Sequence, residues 1–250
     1  MPVPTIAAIL LGVFAAALGW FVYSDKAEYA RFKALTESRD RQARFVVWIA
    51  KSFLLFGGGA VVGLALVGHR DALVGLPPEF EPVLKLLSVA PDDRRDLGSL
   101  FEGFLIALPV ALLTAWLILR RRAKSGAGGP IALGDIQPLL PRNGAERLCA
   151  VFLALNAGLS EELFFRLALP LLLALVFGNA VAAFAVAAVV FGIVHLYQGW
   201  IGVLATTVLG AVFTMVYLGT GSIWLAAALH ALIDINGLIV MPLLTRGARA

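Results

Sequence analysis

The chain has 250 residues, of which 60% are hydrophobic and 14% charged, and its mean hydropathy is +0.91. These values lie far outside the range of a soluble globular domain, so we expect an integral membrane protein. The formal net charge of +4 does not indicate a nucleic-acid partner. The basic residues lie in loops between apolar segments, where they set membrane orientation. The single cysteine, Cys149, excludes an internal disulfide bond.

Three apolar segments in the first half of the chain are long enough to cross a bilayer, which takes about 20 helical residues. They are residues 3–23, 45–67 and 100–119. The segment 25–44 carries six basic and four acidic residues, a pattern that predicts a solvated helical connector. Lys51, near the start of the second span, is expected to reach the headgroups. The prolines within residues 69–98 predict a loop with a short surface helix at 82–89.

Glycine-containing turns divide the second half of the chain into four further helices. These are predicted at residues 146–177, 180–197, 200–218 and 222–243. The predicted fold is therefore an all-α, polytopic membrane helical bundle with about seven transmembrane helices, with eight as an alternative. Lys and Arg near the span ends place the N-terminus outside and the C-terminus inside. The Ala- and Leu-rich spans favour a bacterial cytoplasmic membrane.

The composition changes near residue 120, where a basic cluster is followed by a Gly- and Pro-rich segment. We therefore predict four parts in the chain. They are an accessory transmembrane region with three spans at 1–124, a linker at 125–144, a membrane core at 145–243 and a short basic tail at 244–250.

Ionisable side chains are rare within the core. From Leu148 to Thr245 the charged side chains and histidines are Glu161, Glu162, Arg166, His195, His230 and Asp234. A charged group in an apolar helix needs a partner or a function. Residues four apart share one face of a helix, and three such pairs occur here: Glu162 with Arg166, Phe191 with His195, and His230 with Asp234. Glu161 has no such partner on its own helix.

The depths of these residues in their helices allow them to meet in a polar chamber near the inner leaflet. A carboxylate partly shielded from water can act as a general base toward a water molecule, and His195 can share or relay the proton. Attack of that water on a peptide carbonyl produces an oxyanion, to which a ring nitrogen of His230 can donate. Asp234 would orient His230, or donate while protonated. The residues thus predict hydrolysis of a bond presented from the membrane.

Three motifs, in this order on successive apolar helices, resemble those of the CPBP family: Glu161-Glu162-x-x-x-Arg166, Phe191-x-x-x-His195 and His230-x-x-x-Asp234. The family comprises the CAAX-processing and bacteriocin-processing glutamate intramembrane proteases, including the Rce1-like prenyl-protein endopeptidases. The resemblance covers about residues 145–242. Two positions differ from the common pattern, because Leu167 replaces a frequent Gly and Asp234 a frequent Asn.

The resemblance implies a catalytic role for four residues and a supporting role for three. Glu161 would activate water together with His195, and His230 and Asp234 would form the oxyanion site. The supporting residues would be Glu162, Arg166 and Phe191. The implied enzyme is an intramembrane endopeptidase that needs no cofactor. Its partners would be the lipid bilayer and a prenylated CAAX-type, bacteriocin-type or C-terminal sorting-signal precursor.

Two other functions fit the same residues. Glu161, His195 and His230 supply a carboxylate and two imidazoles, a ligand set that zinc accepts, so a zinc-dependent intramembrane protease is one alternative. A non-catalytic membrane protein, either an immunity factor or a proton-coupled transporter, is the other. Such a scaffold needs the Glu162 and Arg166 pair but has no need of Glu161.

Overall fold

The computed structural model describes residues 1–87 and 134–246. All regular secondary structure in those residues is helical, which confirms the all-α membrane bundle. We number the α-helices in chain order: α1 Val3–Lys33, α2 Ser38–Ser52, α3 Gly59–Val67, α4 Glu81–Leu86, α5 Gly144–Glu162, α6 Leu169–Phe177, α7 Ala180–Val194, α8 Gly199–Thr220, α9 Ile223–Ile235 and α10 Met241–Arg246.

Four helical stretches of the described residues are long and apolar enough to span a membrane, by length and composition. They are Val3–Lys33, Ser38–Val67, Leu196–Thr220 and Ile223–Leu244. The chain is therefore an integral membrane protein. The helix ends predicted for the second half agree with the structure within a few residues. The predicted third span at 100–119 and residues 125–133 of the linker lie outside the described residues.

In the part of the chain that the structure describes, three π-helical turns interrupt the long helices: Phe53–Gly58 between α2 and α3, Leu163–Ala168 between α5 and α6, and Asn236–Val240 between α9 and α10. In the second turn the backbone N–H of Leu169 donates to the carbonyl of Phe164, five residues earlier. Pro170 follows and has no N–H for the carbonyl of Arg166, so the normal α-helical ladder cannot continue there. A proline inside a helix commonly produces a kink, and here the irregularity takes the form of a π-turn just before Pro170.

The prediction that residues 25–44 form a solvated connector is wrong for one face of α1 and α2. α1 continues to Lys33, and Asp25, Tyr29 and Arg41 are buried. The reason is packing against the second half of the chain. Arg41 Nε lies 3.1 Å from Glu146 Oε2 with both side chains fully enclosed, and the Tyr29 hydroxyl donates to the carbonyl of Asp135.

Lys51 is also placed differently from the expectation that it reaches the headgroups. Its Nζ donates to Ser24 Oγ at 2.8 Å and to Glu28 Oε1 at 3.2 Å, and both partners belong to α1. A nearby amide, Asn156 Nδ2 of α5, donates to Ser52 Oγ at 2.7 Å. These polar contacts hold α1, α2 and α5 together.

Two helices approach each other closely at Gly158 of α5. A Cβ atom at this position would lie 2.5 Å from the carbonyl oxygen of Ala227 and 2.8 Å from Cβ of Ala231, both on α9. The backbones can pack this closely because Gly158 has no side chain. This contact sets α5 and α9 side by side, one turn before the glutamates of α5.

We expect Gly158→Ala to lower the free energy of unfolding by about 1–3 kcal/mol, because the methyl group must push α9 away. Gly12→Ala is the matched control, since a Cβ at Gly12 meets nothing within 4 Å and alanine favours helix by about 0.5–1 kcal/mol. Thermal unfolding in detergent micelles measures the difference. Equal stability of the two variants would contradict the proposed close contact.

Candidate active site

The central polar residues lie where α5 passes into its π-helical turn. α5 begins at Asn143, whose side chain accepts a hydrogen bond from the backbone N–H of Glu146. It ends at Glu162, and the turn that follows carries Arg166. The sequence predicted that these two charges share a face, and Arg166 Nε indeed lies 3.1 Å from Glu162 Oε2.

Glu162 is the centre of a buried polar network. Its other carboxylate oxygen, Oε1, lies 2.7 Å from Nδ1 of His230 on α9. The side chains of Glu162, Arg166 and His230 are each at most 4% exposed. A carboxylate accepts hydrogen bonds, so Nδ1 of His230 carries the hydrogen. The network therefore ties α5 and its π-turn to α9.

Aromatic rings enclose this network on the side of α7 and α8. The guanidinium carbon of Arg166 lies 3.9 Å from the ring centroid of Phe191. The Phe213 ring is stacked on His230, with centroids 4.8 Å apart. Both terminal nitrogens of Arg166 lack hydrogen-bond partners among the described residues. The face of the Phe191 ring therefore stabilises the part of the guanidinium group that has no hydrogen-bond partner.

Glu161, the next residue along α5, turns toward His195 at the end of α7. Its Oε2 lies 3.9 Å from Nε2 of His195, and that oxygen has no hydrogen-bond partner among the described residues. Nδ1 of His195 lies 2.8 Å from the carbonyl oxygen of Phe191 and must donate to it. In the neutral ring, Nε2 is therefore an acceptor. A carboxylate and an imidazole thus present two proton acceptors to one small space.

Asp234 lies one turn beyond His230 on α9. Its Oδ2 is 3.6 Å from Nε2 of His230, and its side chain is 33% exposed. The predicted i, i+4 relation is therefore present as a contact. His230 lies between two carboxylates, Glu162 on one ring nitrogen and Asp234 near the other. The contact between His230 and Glu162 had no signal in the sequence.

A cavity of about 90 Å³ opens beside Glu161 and His195. Its opposite wall comes from α1 and α2, which sequence reasoning treated as accessory spans. Asp25, Tyr29 and Trp48 line that wall. The signal that could have revealed it is the spacing of Phe21, Asp25 and Tyr29, which lie four apart and share one face of α1. The remaining lining residues are Ser52, Phe56, Leu139, Leu153, Ala157, Val194 and Tyr197.

The zinc alternative requires Glu161, His195 and His230 to lie together around one metal ion. Within residues 1–87 and 134–246, no group of three or more His, Cys, Asp or Glu side chains is arranged to hold a metal ion. Glu161, His195 and His230 therefore do not form such a group. Nδ1 of each ring is already bonded, to Phe191 in one case and to Glu162 in the other.

The fold and the site define a class of protein, an integral membrane helical bundle with ionisable side chains enclosed between its helices. Residues 144–236 match the family model described as type II CAAX prenyl endopeptidase Rce1-like. The part of the chain that carries Glu161, His195 and His230 therefore matches an Rce1-like protease family, in agreement with the resemblance to the CPBP family. Comparison with curated proteins and with solved structures found no significant match.

We expect Arg166→Leu to lower the free energy of unfolding by about 3–5 kcal/mol, because it leaves the Glu162 carboxylate buried without its cation. The control is Lys85→Met, which removes a cation from an exposed pair with Glu81 and should change stability by at most about 1 kcal/mol. Denaturant unfolding in micelles measures both. The double variant Glu162→Gln with Arg166→Leu should recover part of the loss, and its failure to do so would contradict an ion-pair origin.

Proposed function

We propose that the protein is an intramembrane endopeptidase that hydrolyses a peptide bond with a water activated by Glu161. The observation that supports it best is the different environment of two adjacent carboxylates. Glu162 is held by Arg166 and His230, whereas Glu161 faces a cavity beside His195. Glu162 therefore has a structural role, and the carboxylate of Glu161 is available to act as a general base.

The proposed reaction begins with a water in the space between Glu161 and His195. Both groups can accept its protons, because Nε2 of the neutral His195 ring bears a lone pair. Glu161 takes one proton as general base while the water oxygen attacks the peptide carbonyl carbon. The proton then passes to the amine that leaves, either from Glu161 directly or through His195, so that a carboxylic acid and an amine are formed.

His230 is the proposed donor to the oxyanion. Its Nδ1 donates to Glu162, so donation to the substrate must come from Nε2, which requires a ring that carries both protons. The flanking carboxylates of Glu162 and Asp234 stabilise that charged form by Coulomb attraction. The positive ring then stabilises the negative charge that develops in the transition state.

The substrate class proposed from the family is a membrane-associated protein or peptide. The family model is described by its action on prenylated CAAX proteins. A bacteriocin-type precursor and a C-terminal sorting-signal precursor are the other members of the proposed class. Membrane-peptide fragments compared between cells with the original chain and with a Glu161 variant identify which one is cut.

We expect Glu161→Gln to reduce processing by about 10²–10⁴-fold, the usual contribution of a general base, while folded protein remains at its normal level. The amide keeps the shape of the side chain and removes its basicity. Fragment analysis by mass spectrometry measures processing, and size-exclusion chromatography in detergent measures folding.

Glu162→Gln is the matched control for the same change one residue along α5. It should lower thermal stability, because Arg166 and His230 lose their shared partner. Normal processing by Glu161→Gln would refute the proposed general base. The absence of any processing that depends on the original chain would favour an immunity factor or a proton-coupled transporter.

Metal removal separates the proposed mechanism from the zinc alternative. After exhaustive dialysis against a chelator, we expect the purified enzyme to keep its rate with less than one zinc per ten chains, because no step of the proposed reaction uses a metal. Elemental analysis measures the metal and peptide cleavage measures the rate. Loss of activity that returns with added zinc would favour Glu161, His195 and His230 as ligands.

A further inference from the structure

A second carboxylate, Asp25 of α1, lines the same cavity as Glu161. The residue is 8% exposed, and it makes no hydrogen bond or ion pair with other residues of the described ranges. A carboxylate enclosed in this way is costly unless a cation or a hydrogen-bond donor accompanies it. No step of the proposed hydrolysis uses it.

Three cations of α1 and α2 are bound to other carboxylates. Lys51 attracts Asp25 electrostatically, but its ammonium group is bonded to Glu28 and to Ser24. Arg41 is paired with Glu146, and Lys33 with Asp135. None of these three cations forms a hydrogen bond or an ion pair with Asp25. The chain therefore brings a buried negative charge to the cavity without a cation committed to it.

Aromatic rings surround Asp25 in the cavity. We call them the aromatic wall: Phe21, Tyr29, Trp48, Phe56 and Tyr197. A ring face attracts a cation, and a carboxylate beside it strengthens the site. A wall of this composition suits an ammonium or guanidinium group better than a neutral polar group.

Among the described residues, a carboxylate, an aromatic ring and a cation combine four times. Arg166 lies on Phe191 and pairs with Glu162. Arg41 lies on Phe32, 4.3 Å from its centroid, and pairs with Glu146. Lys51 lies 4.8 Å from the Phe21 centroid and pairs with Glu28. Lys33 lies 5.0 Å from the Tyr29 centroid and pairs with Asp135. Asp25 and the wall rings that carry none of these four cations, Trp48, Phe56 and Tyr197, form a further set without a cation among the described residues.

We propose that Asp25 and the aromatic wall bind a basic side chain of the substrate, a lysine or an arginine close to the bond that is cut. Asp25 is then a specificity-determining residue. The inference rests on the proposed function, because Glu161 and His195 lie in the same cavity of about 90 Å³. A volume of this size holds one side chain and leaves the attacked carbonyl near Glu161.

The first experiment measures binding without catalysis. It uses the full chain in detergent with the substitution Glu161→Gln. Among the described residues that line the cavity, Asp25 is then the remaining carboxylate. The ligands are n-butylammonium, which is cationic at neutral pH, and n-butanol, which is neutral and of similar size. Thermal shift as a function of ligand concentration gives the dissociation constant of each.

We expect n-butylammonium to bind at least tenfold more weakly when Asp25→Asn is added, and to keep its affinity with Asp25→Glu, which preserves the charge. n-Butanol should respond to neither change. Asp40→Asn is the control for net charge, because Asp40 is an exposed acid on α2. An unchanged n-butylammonium affinity in Asp25→Asn would overturn the proposal.

The second experiment reads the preference in the cleaved peptides. In the original chain, Lys or Arg should be enriched within a few residues of the cut, and Asp25→Asn should remove the enrichment while cleavage continues. A uniform loss of cleavage with the enrichment intact would assign Asp25 a structural role and overturn the inference. Continued processing by Glu161→Gln would refute the proposed function alone, since the binding result is obtained in that variant.

Discussion

The need to neutralise charge inside an apolar bundle determines the arrangement of this protein. Glu162, Arg166 and His230 come from different turns and helices, and each would be costly to bury alone. Their mutual contacts, together with the rings of Phe191 and Phe213, hold α5, α7, α8 and α9 in one arrangement. Because Glu161 is adjacent to Glu162 and rotated by about 100°, fixing one carboxylate directs the other away from the network and toward the cavity.

The two halves of the chain complete one site. The family match covers residues 144–236, and this segment carries Glu161 and His195. The opposite wall of the cavity belongs to α1 and α2, which are held to the second half by the Arg41 pair with Glu146 and by the amide of Asn156. In the proposed mechanism the matched segment supplies the catalytic groups, while the first two spans form the opposite wall of the cavity.

The sequence predicted the features that depend on local order along the chain. Turn glycines such as Gly178 and Gly221 end helices where the structure ends them, and the four-residue spacing placed Arg166 beside Glu162. Contacts between distant residues had no such signal. The bond from His230 to Glu162 joins residues 68 apart, and Asp25 was assigned to a solvated connector because charge was counted along the chain and not by helix face. Burial of that face depends on helices made much later in the sequence.

The pair between Arg41 and Glu146 also has a consequence for the order of biosynthesis. Its partners are 105 residues apart, so at about 5–20 residues per second the arginine is made on the order of 5–20 s before the glutamate. Arg41 lies in the first turn of α2, ahead of the apolar part of that helix, where water can hydrate it during this interval. Docking of the first two spans onto the nascent second half must therefore follow translation of α5, and the cavity closes only when both halves have left the ribosome.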